Sequence, residues 1–300
     1  MTDSFHVASD ADIRSGRATD ASLTLANELL QSESVNPSVV AEVRASDLPR
    51  DWTWAVFAGL DEAIHLLEGR ALHVDSVAEG TVFYAEEPVL VVAGPYQELA
   101  VVETALVGLL SQESGIATAA ARLKAAAQGR PVYSFGSSRV HPAIVPAVER
   151  AAYVGGCDGV TAARSAAIIE RDPVATMGHD VVLLLGEERA WLALDGRLDH
   201  RQPRIVMVGT AEDEKRGALA AVRTLRDRLA GIRIDTPASR RGNLTQILRE
   251  LRWELDVRGF GRVQLFVSAI WKSRISSSST GTRTSTVSMP PSPRRRRWRW

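Results

Sequence analysis

The fold is decided by residues 205–267, which read IVMVGTAEDEKRGALAAVRTLRDRLAGIRIDTPASRRGNLTQILRELRWELDVRGFGRVQLFV. Three short apolar runs, at 205–208, 232–234 and 263–267, alternate with two stretches of helical pattern, at about 213–229 and 243–256. The runs begin 27 and 31 residues apart, which is a spacing typical of βαβ units. We therefore predict an α/β fold with a parallel sheet in this half of the chain.

The rest of the chain carries a more mixed pattern of elements. We predict disorder over residues 1–18, strands at 39–43, 72–76, 81–84 and 88–93, and helices at 19–33, 60–67, 97–111 and 116–128. The three later β runs are separated by Gly and Pro, which favours an antiparallel sheet. Further on, we predict a strand at 131–134, a helix near 143–153 and a strand-like segment around 173–174.

Ionisable side chains follow the predicted strands of the second half. Because parallel strands end at a common edge, we expect these side chains to lie together. Arginines there suit anions, carboxylates suit a divalent cation or a cationic transition state, and a histidine suits a base or nucleophile. The set comprises Arg139, Arg233, Arg240, Arg241, Asp213, Glu214, Asp235 and His179. It predicts a phosphorylated, Mg²⁺-bound substrate.

Each of these residues also has an ordinary structural interpretation. Asp213-Glu214-Lys215 fits the solvated first turn of a helix, and Arg240-Arg241 fits a charged surface loop. His141 before Pro142 is typical of a loop or capping residue, and Cys157 fits a packed turn. GxGxxG, CxxC, HExxH and GxSxG are absent, so neither a dinucleotide fingerprint nor a zinc or serine-hydrolase motif is present.

The charge of the chain is divided unevenly. The 300 residues carry 36 Lys+Arg and 36 Asp+Glu, but the last 30 hold eight basic residues and no acidic ones. The remainder therefore has a net charge of −8. This Ser/Arg/Trp-rich tail, 269–300, is predicted to be disordered. It fits a nucleic-acid-binding arm, a functionless extension, or a C-terminus translated from a shifted reading frame.

Composition also excludes several classes of protein. A single Cys excludes a disulfide scaffold and fits a reducing compartment. No apolar run is long enough to span a membrane, and the N-terminus has no secretory signal pattern. We expect a cytoplasmic protein without a membrane partner.

The motifs together resemble the nicotinate phosphoribosyltransferase family in its compact archaeal-type form, which is related to quinolinate phosphoribosyltransferases. The resemblance covers about residues 16–268. It is carried by Thr19-Asp20, Val35-Asn36-Pro37, Gly94-Pro95-Tyr96, SGIAT at 114–118, Phe135-Gly136, His141-Pro142, Gly155-Gly156-Cys157-Asp158-Gly159, Thr176-Met177, Asp213-Glu214-Lys215, Asp235-Thr236-Pro237, Ser239-Arg240-Arg241-Gly242 and ELRWELD at 250–256.

The resemblance implies an α/β fold in two parts. An N-terminal α/β sandwich domain would span 19–128, and a barrel of the type II phosphoribosyltransferase kind, incomplete here, would span 129–268. It further implies a homodimer that transfers a phosphoribosyl group from phosphoribosyl pyrophosphate (PRPP) to nicotinate. Mg²⁺ and, in some members, ATP would take part.

The resemblance also assigns roles to individual residues. His179 would be the histidine phosphorylated by ATP, and Glu214 and Asp235 would face the ribose and Mg²⁺. Arg139 would hold the nicotinate carboxylate or a phosphate. The remaining predicted substrate contacts are His141, Thr176, Lys215, Arg233, Thr236, Arg240 and Arg241, of which Lys215, Arg240 and Arg241 would face phosphates.

The sequence departs from the family pattern at several of these places. An aromatic pair that lines the nicotinate site is Ser22 and Leu23 here, and an Arg is replaced by Ser138. The Gly of a Gly-Thr-Met motif is Ala175, and an Asp before Thr210 is Gly209. After Ser268 the family continues with Gly-Gly and a further strand, whereas here the tail begins. We expect the shifted frame to start at this point and PRPP binding to be weakened.

Two alternative functions remain open. The same scaffold could act on quinolinate, although a second carboxylate would call for more Arg, and Ser138 argues against it. A catalytically silent member could instead use its Arg/Trp tail to bind nucleic acid, for which the acidic remainder gives no support.

Overall fold

A computed structural model describes residues 5–49, 52–174, 176–200, 202–210, 212–236, 239, 242–270, 287–288 and 298–299. Its helices are α1 Asp10–Arg14, α2 Ala21–Ser32, α3 Leu60–Leu67, α4 Tyr96–Ala100, α5 Glu103–Ala126, α6 Val145–Val154, α7 Ala163–Ile168, α8 His179–Leu185, α9 Glu187–Arg197, α10 Glu214–Leu225 and α11 Leu244–Val257. Short 3-10 helices lie at Ser137–Arg139, Pro142–Ile144 and Arg226–Arg228.

The strands are β1 Ser38–Ala45, β2 Ala55–Val56, β3 His73–Ser76, β4 Val82–Phe83, β5 Pro88–Pro95, β6 Arg204–Val208, β7 Leu229–Ile234, β8 Gln264–Val267, β9 Ala269–Ile270, β10 Val287–Ser288 and β11 Trp298–Arg299. The chain forms two compact units. Unit 1 comprises Met1–Arg122, Ser137–Cys157 and Pro291–Trp300, and unit 2 comprises Leu123–Gly136 and Asp158–Pro290. Among the described residues, no helix combines the length and apolar character that crossing a membrane requires.

Unit 1 is built on an antiparallel sheet in the order β11-β1-β5-β3, as the Gly- and Pro-separated β runs predicted. The central strand β5 pairs with β1 from Ser38↔Pro95 to Arg44↔Pro88 and with β3 on its other side. Apolar side chains from the sheet and the helices form one core, which includes Val43, Phe57, Leu66, Leu90, Leu106 and Leu110. A separate antiparallel pair, β2 and β4, lies beside it.

Three segments of unit 1 differ from the sequence-based expectation. One is β11, which lies within the tail 269–300 predicted to be disordered and pairs with β1. Residues 10–14 form a helix within the predicted disordered N-terminus, because Ser9 and Asp12 make a capping box that satisfies its first turn. The break between the predicted helices 97–111 and 116–128 is found at 101–102 instead, and α5 continues through Gly115. A single Gly within a helix costs only about 1 kcal/mol, which the apolar contacts of α5 outweigh.

Unit 2 contains a parallel sheet in the order β6-β7-β8, which confirms the βαβ pattern of residues 205–267. Its core includes Trp191, Met207, Ile232 and Leu251. The Trp191 indole N–H is buried and donates to the Met207 carbonyl at 3.2 Å, so α9 is tied to β6. Helix α10 ends at Leu225 rather than at 229, because Leu229–Ile234 joins the sheet as β7.

The predicted β segments before this sheet are reduced. Within 131–134, Tyr133 forms an isolated parallel bridge with Gly159, and the Ser134 N–H donates to the Gly159 carbonyl at 3.0 Å. Residues 173–174 are not a strand, although the Val174 N–H donates to the Val160 carbonyl at 2.8 Å. Helices α7, α8 and α9 occupy a region in which we predicted no helix from the sequence.

Candidate active site

The candidate site lies at the C-terminal edge of the parallel sheet in unit 2. Gly209 and Thr210 follow β6, Asp235 and Thr236 follow β7, and Ser268 follows β8. The parallel register, in which Val208 pairs with Ile234 and Ile234 with Val267, brings these strand ends to one edge. In parallel α/β sheets this edge is where ligands bind.

Arg233, within β7, connects three parts of this edge. Its Nε donates to Ser268 Oγ at 2.8 Å, Nη1 to Thr176 Oγ1 at 2.6 Å and Nη2 to Asp235 Oδ2 at 2.5 Å. The Phe135 ring lies against the guanidinium, 4.9 Å from ring centroid to Cζ. The side chain is only 13% exposed. The guanidinium is therefore occupied by protein partners and holds Asp235 in place.

His179 is the first residue of α8. Its Nδ1 lies 2.9 Å from Thr210 Oγ1, and its Nε2 lies 3.7 Å from Asp235 Oδ2. The ring is 39% exposed, so the imidazole combines a fixed edge with access to solvent. The predicted candidates His179, Asp235, Arg233 and Thr176 are thus brought together.

Glu214 and Thr236 flank Gly209. Gly209 has φ +79°, and a Cβ there would lie 2.3 Å from Thr236 Oγ1 and 3.2 Å from Glu214 Cγ. The helix that carries Glu214 begins there because Asp213 Oδ1 accepts from the backbone N–H groups of Lys215 and Arg216. Glu214 is 8% exposed, and its Oε1 is buried without a hydrogen-bond partner among the described residues. An acceptor of this kind is suited to a cation or a donor supplied by a ligand.

A magnesium ion can be tested against this donor set. Across the described ranges, no group of three or more His, Cys, Asp or Glu side chains could hold a metal. Mg²⁺, however, is often bound by one or two carboxylates together with substrate phosphates and water. The unpartnered oxygen of Glu214 and the carboxylate of Asp235 fit that mode of binding.

Lys215 makes different contacts from those expected of a phosphate ligand. Its Nζ lies 2.8 Å from Glu250 Oε1 and 2.7 Å from Glu254 Oε1, both on α11. The hydrogen bonds to Glu250 and then Glu254 raise the pKa of Lys215. The structure thus places Lys215 in a contact between α10 and α11, and its role at phosphate stays a prediction.

The remaining predicted site residues are not among the contacts described above. Arg139 is exposed at the end of a 3-10 helix, and His141 begins the next one, where its Nδ1 accepts from the Ala143 N–H at 3.2 Å. Both belong to unit 1. Arg240 and Arg241 lie outside the described residues.

Sequence reasoning assigned no role to three neighbours in the site, Thr210, Ser268 and Phe135. The predicted site residues are mostly ionisable, whereas two of these neighbours carry neutral hydroxyls and the third carries an aromatic ring. The position of Thr210 and Ser268 directly after apolar strands was the available signal.

Comparison with known proteins identifies the family. Residues 21–114 match the model of the quinolinate phosphoribosyl transferase N-terminal domain. Nicotinate phosphoribosyltransferase pncB2 of Mycobacterium tuberculosis is 31% identical over 214 residues, which are 70% of this chain and 45% of the relative. Nicotinate phosphoribosyltransferase of Bacillus subtilis is 26% identical over 257 residues, 74% of this chain and 51% of the relative. The chain spans about half the length of these curated relatives.

Solved structures give the same result over more of the chain. Nicotinate-nucleotide pyrophosphorylase from Pyrococcus furiosus is 40% identical, with a TM-score of 0.92 over 96% of this chain and 74% of that one. Human nicotinic acid phosphoribosyltransferase, at 17% identity and a TM-score of 0.70, covers 90% of this chain and 72% of that chain and shares the fold. The expected fold class, α/β of the type II phosphoribosyltransferase kind, is confirmed. The chain belongs to the family of nicotinate and quinolinate phosphoribosyltransferases.

Proposed function

We propose that the chain transfers the phosphoribosyl group of PRPP to nicotinate, giving nicotinate mononucleotide and pyrophosphate. The observation that carries the proposal is the set of Arg233, Asp235 and His179 at one edge of a family-specific fold. In this reaction the pyridine nitrogen forms a bond to C1 of the ribose. The bond from C1 to the pyrophosphate oxygen breaks, and its electron pair leaves with pyrophosphate.

The residues of the site serve this reaction through position and charge. The transition state carries positive charge on the ribose, which carboxylates at Asp235 and Glu214 would stabilise. Because Arg233 holds Asp235, little reorganisation is needed when that charge develops. Thr176 and Thr236 present hydroxyls at the same edge for the substrate, and Arg139, His141, Arg240 and Arg241 remain proposed substrate contacts.

Glu214 and Asp235 would hold Mg²⁺, which when bound would offset the charge of the leaving pyrophosphate. The buried oxygen of Glu214 supports this assignment. His179 would take a phosphoryl group from ATP in a coupled reaction, and its partly exposed side chain supports this role. A homodimer in the cytoplasm is also part of the proposal.

Quinolinate is the second candidate substrate. It is favoured by the match of residues 21–114 to the quinolinate phosphoribosyl transferase N-terminal domain. Its reaction would release CO₂ from the second carboxylate in addition to pyrophosphate. Ser138 in place of a family Arg leaves fewer cations for the second carboxylate, so nicotinate is preferred.

The test is a product assay with the full chain. The protein is incubated with PRPP, Mg²⁺ and either nicotinate or quinolinate, with and without ATP, and nicotinate mononucleotide is measured by chromatography. We expect product from nicotinate, dependent on PRPP. Product from quinolinate alone would favour the second candidate, and no product from either would support a catalytically silent family member.

A further inference from the structure

The imidazole of His179 is supported by a residue that has no assigned role, Thr210. His179 begins a seven-residue helix, and its N-cap, Gly178, offers no side chain to the ring. A half-exposed side chain in such a place has several accessible rotamers unless a partner fixes it. Among the described contacts of the ring, the 2.9 Å approach of Thr210 Oγ1 is the one within hydrogen-bond range, since Asp235 lies at 3.7 Å.

Thr210 is well suited to hold the ring. Thr210 is 9% exposed. It comes shortly after β6, whose last three residues, Val206, Met207 and Val208, are at most 1% exposed. Its β-branched side chain has a restricted χ1 angle. Thr210 follows the turn at Gly209, where a Cβ would collide with Thr236 Oγ1. After this turn, the Thr210 hydroxyl faces the His179 ring. A rigid, buried group therefore supports a more exposed one.

The chemistry of the contact also matters. A hydroxyl can accept from Nδ1–H or donate to an unprotonated Nδ1, so the contact persists in either tautomer and in the protonated ring. Thr210 thus fixes where the ring lies without selecting its protonation state. Nε2 is left on the side of Asp235, which is itself held by Arg233.

We propose that Thr210 is a positioning residue that orients the His179 imidazole toward Asp235 for the reaction. This inference rests on the proposed function, in which His179 acts through Nε2. Loss of the hydroxyl would leave substrate contacts intact but misplace the ring. It should therefore reduce kcat and leave KM nearly unchanged.

The test compares Thr210→Val, which removes the hydroxyl at nearly constant shape, with Thr210→Ser, which keeps it. Thr224→Val is the matched control, since Thr224 lies on α10 and its hydroxyl, among the described residues, donates to Glu188 on α9 at 3.4 Å. We expect Thr210→Val to lower kcat for nicotinate mononucleotide formation by about 10- to 100-fold, with KM for PRPP and nicotinate within about twofold. Thr210→Ser and Thr224→Val should stay within about threefold of the wild type in kcat.

A second measurement is independent of activity. Ring ¹⁵N signals of His179, assigned with His179→Gln, are compared in the wild type, Thr210→Val and Thr210→Ser at one pH. A shifted Nδ1 signal in Thr210→Val and a native-like one in Thr210→Ser are expected. Unchanged ring signals in Thr210→Val, or a fall in kcat that Thr210→Ser does not rescue, would overturn the positioning role. If the wild type makes no product, the proposed function fails, and the ring signals alone decide on Thr210.

Discussion

Gly209 shows how a single missing side chain shapes the site. Its φ of +79° lies in the left-handed region, and the position of a Cβ is already occupied by Thr236 Oγ1. The family pattern that the sequence resembles has an Asp at this position, and the Cβ of an Asp would meet the same contact with Thr236. Thr236 and Glu214 therefore fill space that a side chain at position 209 would require, and the Gly is part of the local packing.

We expect Gly209→Ala to destabilise the protein by more than the backbone cost alone, which is about 1–3 kcal/mol. The control is Gly259→Ala, since Gly259 has φ +81° and nothing within 4 Å of its would-be Cβ. Urea unfolding of both variants gives the comparison. Equal losses of stability would show that the contact with Thr236 relaxes without cost.

His179 is the residue on which ATP coupling depends in the proposed function. We expect His179→Ala to remove any stimulation of product formation by ATP, because the nucleophilic nitrogen is lost. Product formation without ATP should persist at a reduced rate, since Asp235 and Arg233 keep their mutual contact. The measurement is the nicotinate mononucleotide yield with and without ATP. Stimulation that survives in the active variant would exclude His179 from this role.

Unit 1 contains a cluster of charged side chains between α3, α5 and α6, in which Arg150 and Glu79 are largely buried and Asp61 is exposed. Arg150 donates to both carboxylate oxygens of Glu79 at 3.0 and 2.7 Å and also pairs with Asp61. Glu79 Oε1 in turn accepts from the N–H groups of Gly59 and Leu60 at the start of α3. Glu113 on α5 is 2% exposed, and neither of its oxygens has a hydrogen-bond partner among the described residues.

Burial raises the pKa of Glu113 to about 8; nearby Glu62 and Glu79 add to the shift, and Arg150 opposes it. The ordinary value of 4.5 applies to the unfolded chain. Between pH 4.5 and 8 the unfolded state loses this proton while the folded state keeps it, so stability falls as pH rises. Below this window the group has no effect, and above it the loss is constant.

We therefore expect Glu113→Gln to remove a pH-dependent loss of stability. Between pH 5 and 8 the free energy of unfolding of the wild type should fall more than that of the variant, by on the order of 3 kcal/mol. The matched control is Glu28→Gln, at an exposed position on α2. Denaturant unfolding at both pH values measures the difference. Parallel pH profiles of wild type and Glu113→Gln would contradict the assignment.

A second contact between elements links α10 to α11 through Lys215, Glu250 and Glu254. Lys215→Met should lower the melting temperature. Glu254 is only 6% exposed, and in this variant it loses its ion pair with Lys215 and keeps only the one with Arg258 among its described partners. KM for PRPP should change by less than about twofold if Lys215 acts only in this contact. A large increase in KM with an unchanged melting temperature would restore its predicted role at phosphate.

The sequence predicts elements well where apolar runs and amphipathic helices alternate, as from β6 to β8. It fails at α8, where five consecutive apolar residues follow Asp180 and give no period that separates helix from strand. In the site, Asp235 could be predicted from its place after a strand. His179 was predicted to follow a strand-like segment at 173–174, which the structure does not form; it begins α8 instead. The hydrogen bonds from Arg233 to Thr176 and Ser268 could not be predicted, because they depend on the tertiary packing of distant segments.

The neutral total charge of the chain is the sum of an acidic part and a basic part. Residues 1–270 carry a net charge of −8, and residues 271–300 carry +8 with no acidic group. The acidic part repels polyanions, so any nucleic-acid binding should depend on the tail. Aromatic residues at 298 and 300 next to arginines suit stacking on unpaired bases.

We accordingly expect weak binding of a single-stranded oligonucleotide at low salt, and its loss in a chain ending at residue 270. Binding through Arg releases counterions, so the logarithm of affinity should fall with the logarithm of salt concentration by about 0.7 per phosphate contacted. Replacing Arg294, Arg295, Arg296 and Arg297 by Ala should therefore reduce the slope by about 3 while keeping the length of the chain. Fluorescence anisotropy over a salt series measures both slopes. If the shortened chain keeps the full affinity, binding belongs to residues 1–270, and the separation of charge along the chain does not determine its interaction with nucleic acid.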